Sequence, residues 1–327
     1  MPIQRVLVTG ATGLIGSQVC AALVVAGIST IALVRDQSKA QALTDLGVEL
    51  RHGDITDPAS IRSAARGADG VVHAAALVPG GVGPSQDRDF DEINVRGTDN
   101  VIRAAEPDAR IVVFSSSAAL DRRYTQHEES AEIPDPVIDP YARTKRAADR
   151  LVREHVAAGR QVIVVRPPAT IGPAPAGRRA IEPPGFNSRM LMAIRGEIDA
   201  FPPMPLSVGL ASDVATATLA ALRIGRTGAV YLPWGRPDEV VTASRLLNMA
   251  CEVADVAHRV RELTAQDIWR PEFAQRWGPA VLRAAAAHPD PYFRNETTVR
   301  ELGHHPVSLA EAVEQTTEFL MIQGLPV

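Results

Sequence analysis

Short runs of consecutive apolar residues recur along residues 1–165, and longer alanine-rich stretches separate them. Runs such as Val6-Leu7-Val8 are apolar on every residue, which is typical of parallel strands that helices cover on both faces. Alternation of such strands with helices predicts an α/β fold with a doubly wound parallel sheet. The predicted strands are Arg5–Thr9, Thr30–Val34, Glu49–His52, Gly70–Ala74, Arg110–Ser115 and Gln161–Arg166. The predicted helices are Leu14–Ala26, Ser38–Leu46, Pro58–Ala65, Phe90–Ala105 and Pro140–Ala158.

The sequence changes character after Arg166, where prolines punctuate a stretch with few long regular elements. This half predicts a smaller, mostly helical C-terminal lobe that covers the end of the sheet. A strand-like run at Gly228–Leu232 indicates that the chain returns to the main sheet. The boundary between the two predicted domains, residues 1–170 and 171–327, is therefore soft. The predicted helices of the second half are Ser188–Arg195, Ser212–Ile224, Ala243–Ala254 and Leu309–Ile322.

Composition excludes several classes of protein. The 327 residues are 46% hydrophobic with a formal net charge of −4, so neither a disordered chain nor a basic surface for nucleic acid is expected. No apolar run reaches the roughly 18 residues of a membrane span. The first strand begins too close to Met1 for a signal peptide, and Cys20 and Cys251 are predicted to be reduced thiols, which together favour a cytoplasmic protein. His304 and His305 would point apart on a regular element, so no metal site is predicted.

Residues 9–16 read Thr-Gly-Ala-Thr-Gly-Leu-Ile-Gly between the first strand and the first helix. Gly10 permits a tight turn, Gly13 lets the backbone approach a pyrophosphate, and Gly16 lets the helix pack closely on the strand. The helix N-terminus would then point its N–H groups at the anion. A structural turn that is merely glycine-rich is the alternative. We expect a Rossmann-type dinucleotide site here, with the cofactor-binding residues Gly10, Thr12, Gly13, Leu14, Ile15 and Gly16.

The end of the second strand bears on which dinucleotide is bound. An acidic residue there bonds the ribose 2′-hydroxyl, whereas an arginine accommodates a 2′-phosphate. The sequence has Arg35 followed by Asp36, and the permanently charged fork of Arg35 favours NADP(H). If Arg35 is simply solvated and Asp36 binds the ribose, NAD(H) is the cofactor.

Two further strand ends carry candidate cofactor contacts. Asp54 and Ile55 follow the third strand, where Asp54 either accepts a bond from an adenine amino group or caps the helix near Pro58. Ala74, Ala75 and Ala76 end the fourth strand with small side chains, which suits either close passage of a cofactor or simple packing.

Tyr141 and Lys145 lie four residues apart on a predicted helix and therefore share one face. A lysine ammonium favours the phenolate, which lowers the tyrosine pKa from its ordinary value near 10 toward neutrality. The fifth strand ends in Ser115-Ser116-Ser117, at the sheet edge where open α/β sheets bind ligands. Ser117 can hydrogen-bond a substrate oxygen as negative charge develops there. Surface placement of the Tyr–Lys pair and strand-end turn chemistry for the serines are the alternatives.

These residues resemble the extended short-chain dehydrogenase/reductase family, of the NAD(P)-dependent epimerase/dehydratase type. The resemblance covers about the first 175 residues. Its motifs are residues 9–16, Gly53-Asp54-Ile55, His73-Ala-Ala-Ala76, Asn94-Val-Arg-Gly97-Thr98, Ser115-Ser-Ser117, Tyr141-Ala-Arg-Thr-Lys145, residues 166–173 and the shorter Asp213-Val214-Ala215.

The resemblance implies a catalytic set of Ser117, Tyr141 and Lys145. Tyr141 would exchange a proton with the substrate oxygen, and Lys145 would also bond the nicotinamide ribose. Pro167 would lie beside the nicotinamide. The asparagine at the position of Asn94 often supports the sheet edge in this family instead of taking part in the chemistry. The resemblance also suggests a homodimer through the helices predicted at Phe90–Ala105 and Pro140–Ala158.

Departures from the family pattern reduce the number of activities to be expected. Ala118 and Ala119 stand where sugar-nucleotide dehydratases carry an acidic pair, which argues against water elimination. Arg166-Pro167-Pro168 is more similar to the hydroxysteroid dehydrogenase and dihydroflavonol reductase branch than to sugar-nucleotide epimerases. We therefore expect an NAD(P)-dependent oxidoreductase that interconverts a carbonyl and an alcohol on a small organic substrate. A sugar-nucleotide epimerase that retains NAD and a non-enzymatic NADP(H) sensor are the alternatives.

Two further features of the sequence allow two interpretations each, and a third allows one. The segment Gly80-Gly81-Val82-Gly83-Pro84 is either a flap over the substrate or an ordinary loop. Trp269 and Trp277 are predicted core residues. A set of apolar residues in the second half would line a substrate pocket or form that half's own core, and its members are Phe186, Met190, Met192, Phe201, Met204 and Leu206.

Overall fold

The computed structural model describes residues 2–78, 87–120, 126–127, 140–182, 185–264, 266–267, 270–271 and 292–324. The glycine-rich segment 80–84 and the two tryptophans at positions 269 and 277 lie outside these described residues. No helix within the described ranges is long and apolar enough to cross a membrane.

The regular elements follow in chain order. The strands are β1 (Arg5–Thr9), β2 (Ser29–Val34), β3 (Glu49–His52), β4 (Gly70–His73), β5 (Arg110–Phe114), β6 (Gln126–His127), β7 (Val162–Val165), β8 (Ala169–Ile171), β9 (Ala200–Phe201), β10 (Pro205–Leu206), β11 (Val208–Leu210), β12 (Val230–Tyr231), β13 (Val241–Thr242), β14 (Arg261–Glu262) and β15 (Tyr292–Phe293). The helices are α1 (Leu14–Val25), α2 (Gln41–Asp45), α3 (Pro58–Ala65), α4 (Asp87–Phe90), α5 (Gly97–Ala104), α6 (Pro140–Ala157), α7 (Phe186–Ile194), α8 (Ala211–Ile224), α9 (Ala243–Val253), α10 (Glu296–Leu302) and α11 (Leu309–Gly324). Short 3₁₀ turns occur at Gln37–Lys39, Ser117–Ala119 and Gly177–Ile181.

A seven-stranded sheet forms the centre of the molecule, in the order β12-β7-β5-β4-β1-β2-β3, and all its strand pairs are parallel. This confirms the predicted doubly wound α/β fold, and each of the six predicted strands is present within one residue of its expected bounds. The order reverses between β1 and β4, which creates a crevice at the carboxyl ends of these two strands. The strand-like run at Gly228–Leu232 supplies the edge strand β12.

Consecutive strand residues bury themselves on opposite faces of this sheet. Val6 and Val8 of β1 belong to one apolar cluster, with α1 and α8, whereas Leu7 belongs to a second cluster, with α3, α5 and α6. All three side chains are fully buried. Burial on both faces explains why inner strands such as β1 and β7 are apolar on consecutive residues.

The second half adds a third apolar cluster, built mainly from α7, α9 and α11. Met190, Phe201 and Leu206 are buried within it, and Phe186, Met192 and Met204 pack against it. These six residues therefore form core, which favours the second of their two interpretations. Three two-stranded pairs that were not predicted brace this half: β8 with β11, β9 with β14 and β10 with β13.

Two predicted helices are different in the structure. The predicted helix Ser38–Leu46 is divided into the 3₁₀ turn Gln37–Lys39 and α2, because the Asp36 side chain caps the first turn and Ala40 leaves the helical conformation. The helix predicted from Phe90 begins with α4 at Asp87, and its residues Asp91–Arg96 form a π-helical segment before α5. Helix α10 was not predicted.

Candidate active site

The glycine turn after β1 is held against the segment that follows β4. Gly10 has a φ of +72°, and a Cβ at this position would lie 2.5 Å from the backbone nitrogen of Ala75. A Cβ on Gly16 would collide with the Gly10 carbonyl, so the first turn of α1 lies directly on the glycine turn. Gly13 is the N-cap of α1 and brings no side chain to that helix end. Backbone N–H groups at this helix end can therefore bind an anion.

A groove of about 630 Å³ runs from this turn along the carboxyl ends of β1, β2, β3 and β4. Nine of the predicted cofactor-binding residues line it, namely Gly10, Thr12, Gly13, Arg35, Asp54, Ile55, Ala74, Ala75 and Ala76. Leu14, Ile15 and Gly16 form the start of α1 instead of the groove wall. Tyr141, Lys145 and Pro167 lie further along the sheet edge, beside β5 and β7. Sequence reasoning did not identify Lys39 or Arg179, which also line the groove.

The end of β2 presents two cations and one carboxylate to the groove. Asp36 is engaged locally, because its Oδ1 accepts bonds from the backbone nitrogen of Ser38 at 3.0 Å and from the Ser38 hydroxyl at 2.6 Å. The bonds from Ser38 also hold the pKa of Asp36 below its ordinary value. Lys39 lies 3.5 Å from Asp36, whereas the exposed Arg35 has no ion pair or hydrogen bond among the described residues.

Asp54 does not cap helix α3. Its Oδ1 accepts bonds from the backbone nitrogen and the hydroxyl of Thr56, both at 2.9 Å, which fixes the turn after β3. The helix cap is Asp57, whose side chain accepts from the backbone nitrogen of Ala59. Asp54 therefore lies on the groove wall with its carboxylate held by its own turn.

Ser117, Tyr141 and Lys145 come together at the carboxyl end of β5. Ser117 begins a 3₁₀ turn, and its backbone nitrogen donates to the Pro167 carbonyl at 3.2 Å. Lys145 donates from Nζ to the Phe114 carbonyl at 2.8 Å, and this Nζ lies 5.9 Å from the centre of the Tyr141 ring. Two elements that are distant in the sequence, the end of β5 and the first turns of α6, thus meet where the sequence predicted a catalytic set.

Lys145 is 5% exposed, and burial lowers its pKa to about 8. The Asp149 carboxylate one turn along α6 acts in the opposite direction and raises this pKa. Asp149 is itself buried and accepts bonds from Ser115 at 3.0 Å and from Arg166 at 2.8 Å. The buried Asp149 carboxylate therefore keeps Lys145 closer to its charged form than burial alone would.

A chain of buried hydrogen bonds links the glycine turn to α6. The Thr98 hydroxyl donates to the Asn94 carbonyl at 2.7 Å, so it must accept from Nε2 of His73, 3.1 Å away. Nδ1 of His73 then accepts from the Thr9 hydroxyl at 2.7 Å. Burial lowers the pKa of His73 to about 3, which keeps the ring neutral as this pattern requires.

Asn94 continues this chain of hydrogen bonds to helix α6. Its side-chain amide exchanges bonds with the backbone of Leu77, receiving one at 2.8 Å and donating one at 3.0 Å. It also donates to the Thr144 hydroxyl at 3.1 Å, and that hydroxyl donates to the Tyr141 carbonyl. Asn94 lies in the π-helical segment, so this irregularity sets the side chain that joins the groove wall to α6.

The residues of the groove fit a dinucleotide. Gly10 permits the close approach of two backbone segments, the N-terminus of α1 suits a diphosphate, and the volume lies within the ordinary range of ligand pockets. Fold and groove together define a Rossmann-type protein of the dinucleotide-binding class.

The chain belongs to the NAD dependent epimerase/dehydratase family, whose model matches residues 6–232. The members of this family are enzymes, and the proteins similar to this chain in sequence include reductases and an epimerase.

Three comparisons illustrate this membership. A 4-hydroxy-2-methyl-3-oxo-4-farnesyl-3,4-dihydroquinoline-1-oxide ketoreductase of Stigmatella aurantiaca is 30% identical over 298 residues, which span 86% of this chain and 85% of the relative. The crystal structure of gox2253 superimposes with a TM-score of 0.81 at 26% identity, over 98% of this chain and 99% of that one. A UDP-glucuronic acid 4-epimerase of Bacillus cereus, solved with UDP-glucuronic acid and NAD, has a TM-score of 0.77 at 17% identity over 98% and 99% of the two chains. The last similarity concerns the fold alone.

Proposed function

We propose that this protein is an NADP(H)-preferring oxidoreductase that interconverts a carbonyl and an alcohol on a small organic substrate. The observation that carries this proposal is the buried Lys145 ammonium, which lies 5.9 Å from the Tyr141 ring at the sheet edge that continues the groove. A cation in that position favours ionisation of the phenol. The ketoreductase relative, similar over most of both chains, supports the same reaction class.

In the direction of reduction, the proton comes from Tyr141. A bound nicotinamide cofactor supplies the hydride that the carbonyl carbon receives. Negative charge then develops on the carbonyl oxygen, and the Ser117 hydroxyl stabilises it by hydrogen bonding. Tyr141 donates its phenolic proton to that oxygen, and Lys145 stabilises the phenolate that remains. Oxidation of the alcohol follows the same path in reverse.

Asp149 and Phe114 position Lys145 for this role. The Phe114 carbonyl fixes Nζ at 2.8 Å, and Asp149 raises the lysine pKa against the effect of burial. Lys145 is thus held in one place and kept closer to its charged form than burial alone would leave it.

Replacing Tyr141 with Phe tests the proposal. We expect NADPH-dependent reduction of ketones and aldehydes to fall by at least about 100-fold, because general acid catalysis contributes this much. Affinity for NADPH, measured by titration calorimetry, should stay within about twofold of the wild-type value. A substrate panel followed at the absorbance of NADPH and of NADH supplies the activity measurement.

Three outcomes contradict the proposal. Loss of NADPH binding together with activity would make Tyr141 a structural residue. Wild-type protein that retains NAD through purification and shows no net cofactor turnover would indicate an epimerase. Tight NADPH binding without turnover of any panel substrate, in wild type and variant alike, would indicate a sensor.

Arg35 tests the preference for NADP(H). Because Asp36 is engaged by Ser38, we expect Arg35 to bind the 2′-phosphate with help from Lys39. Arg35→Gln should weaken NADPH binding about tenfold or more and leave NADH binding within about twofold. Arg66→Gln is the matched control, since it removes another exposed arginine that does not line the groove. Equal losses for both cofactors, or the same loss in both variants, would contradict the assignment.

A further inference from the structure

One residue of the cofactor groove comes from the second half of the chain. Arg179 lies on the 3₁₀ turn Gly177–Ile181, beyond the last strand of the predicted dinucleotide-binding half. Its Nε donates to the Thr12 carbonyl at 3.4 Å, and its side chain lines the groove beside Gly10 and Gly13. A guanidinium from the second half therefore lies against the glycine turn.

Contacts on two sides fix this turn in place. On the side of α1, the Gln18 side chain donates to the Pro173 carbonyl at 2.8 Å, and the Ser17 hydroxyl accepts from the Ala176 backbone nitrogen at 3.4 Å. On the side of α7, the buried Asn187 donates to the Ala180 carbonyl at 3.1 Å. The position of Arg179 is thus set by the fold around it.

The charge of Arg179 is not balanced where it lies. The N-terminus of α1 carries the positive end of the helix dipole, which repels a cation and attracts an anion. Glu182 is the carboxylate paired with Arg179 among the described residues, at 4.0 Å, and both side chains are substantially exposed. An ion pair of this length and exposure contributes little. An anion placed between Arg179 and the start of α1 would satisfy both.

We infer that Arg179 binds the diphosphate of the dinucleotide together with the N-terminus of α1. The inference rests on the proposed function, because it requires a dinucleotide in the groove. Arg179 then gives the second half a direct contact with the cofactor, so that binding of the diphosphate joins the turn Gly177–Ile181 to the glycine turn. An adenosine ligand without a diphosphate makes no use of this contact.

Affinities for whole cofactors and for a fragment test the inference. NADPH and NADH contain the diphosphate, whereas adenosine 2′-monophosphate lacks it and occupies the adenosine end of the groove. We expect Arg179→Gln to weaken both dinucleotides about tenfold or more, since it removes a charged hydrogen-bonding group. Adenosine 2′-monophosphate, measured by competition and by direct titration, should bind within about twofold of the wild-type affinity.

Two further variants serve as a matched control and as a conservative substitution. Arg178→Gln removes the neighbouring exposed arginine, which does not line the groove, and should bind every ligand as the wild type does. Arg179→Lys keeps the charge but loses the planar fork, so we expect an intermediate loss for the dinucleotides. Circular dichroism and the melting temperature identify any variant that fails to fold, and Arg179→Lys then supplies the comparison.

The remaining outcomes overturn either the role of Arg179 or the proposed function. Dinucleotide affinities that are equal in Arg179→Gln and Arg178→Gln overturn the role of Arg179 and leave the proposed function intact. An equal loss for adenosine 2′-monophosphate also overturns it, because Arg179 would then act on the shape of the groove. Wild-type protein that binds neither NADPH nor NADH overturns the proposed function, and this inference with it.

Discussion

Lys145 is a charged group in surroundings that disfavour charge. Burial lowers its pKa to about 8, and Asp149 offsets part of that effect. In the unfolded chain a lysine titrates near 10.4. Between these two pH values the unfolded state therefore binds more protons than the folded state. Stability consequently rises with pH in this window, so that the charged form of Lys145, to which we assign a role in catalysis, destabilises the fold at neutral pH.

Lys145→Gln makes this cost measurable. The variant keeps a donor for the Phe114 carbonyl but has no titrating group, so ionisation of other residues cancels in the comparison. From pH 7.5 to pH 10, the free energy of unfolding of the wild type should rise relative to the variant by roughly 2 kcal/mol. Urea unfolding at pH 7.5 and pH 10 measures the difference. Parallel pH dependence in the two proteins would show that Lys145 titrates as an exposed lysine does.

At the scale of elements, the central strands could be predicted because burial on both faces leaves a local signal. The two-residue strands of the second half could not, since Pro205 pairs with Thr242 and Ala200 with Arg261, far apart in the sequence. A strand of two residues has no periodicity to read. The division of the helix predicted at Ser38–Leu46 was missed for another reason. It depends on the Asp36 side-chain cap, which the apolar periodicity of the segment does not reveal.

Among the residues of the candidate site, those that directly follow a strand could be predicted, and those placed by long-range contacts could not. Gly10 and Arg35 follow strand ends directly, so position along the chain was sufficient to predict that they line the groove. Arg179 lies in an irregular segment and meets Thr12 only through tertiary folding. The Asn94 side chain in the π-helical segment likewise makes long-range bonds to Leu77 and Thr144, which no local pattern encodes. Sequence reasoning therefore missed the tertiary contacts of Arg179 and of the Asn94 side chain, whereas the family resemblance had already paired the end of β5 with α6.

At the scale of the whole molecule, the second half completes the core of the first. Helix α8 packs beside α1, and its Val214 and Leu222 are fully buried in the same cluster as β1. The Arg110 side chain of β5 donates to the Leu222 carbonyl at 2.7 Å and to the Gly225 carbonyl at 2.5 Å. Residues from beyond position 210 therefore share with α1 the covering of one face of the central sheet. We expect the two halves to unfold together, despite the predicted boundary after residue 170.

Leu222→Ala tests this coupling, with Ile224→Ala as its control on the same helix. Leu222 is 0% exposed and Ile224 is 64% exposed, so the first substitution should cost about 2–5 kcal/mol and the second less than about 0.5 kcal/mol. Urea unfolding is followed by circular dichroism and by tryptophan fluorescence, which includes the buried Trp234. Because α8 is shared, the two signals should give a single transition that moves to lower urea by the same amount. Two separate transitions, of which Leu222→Ala moves one, would show that the halves fold independently.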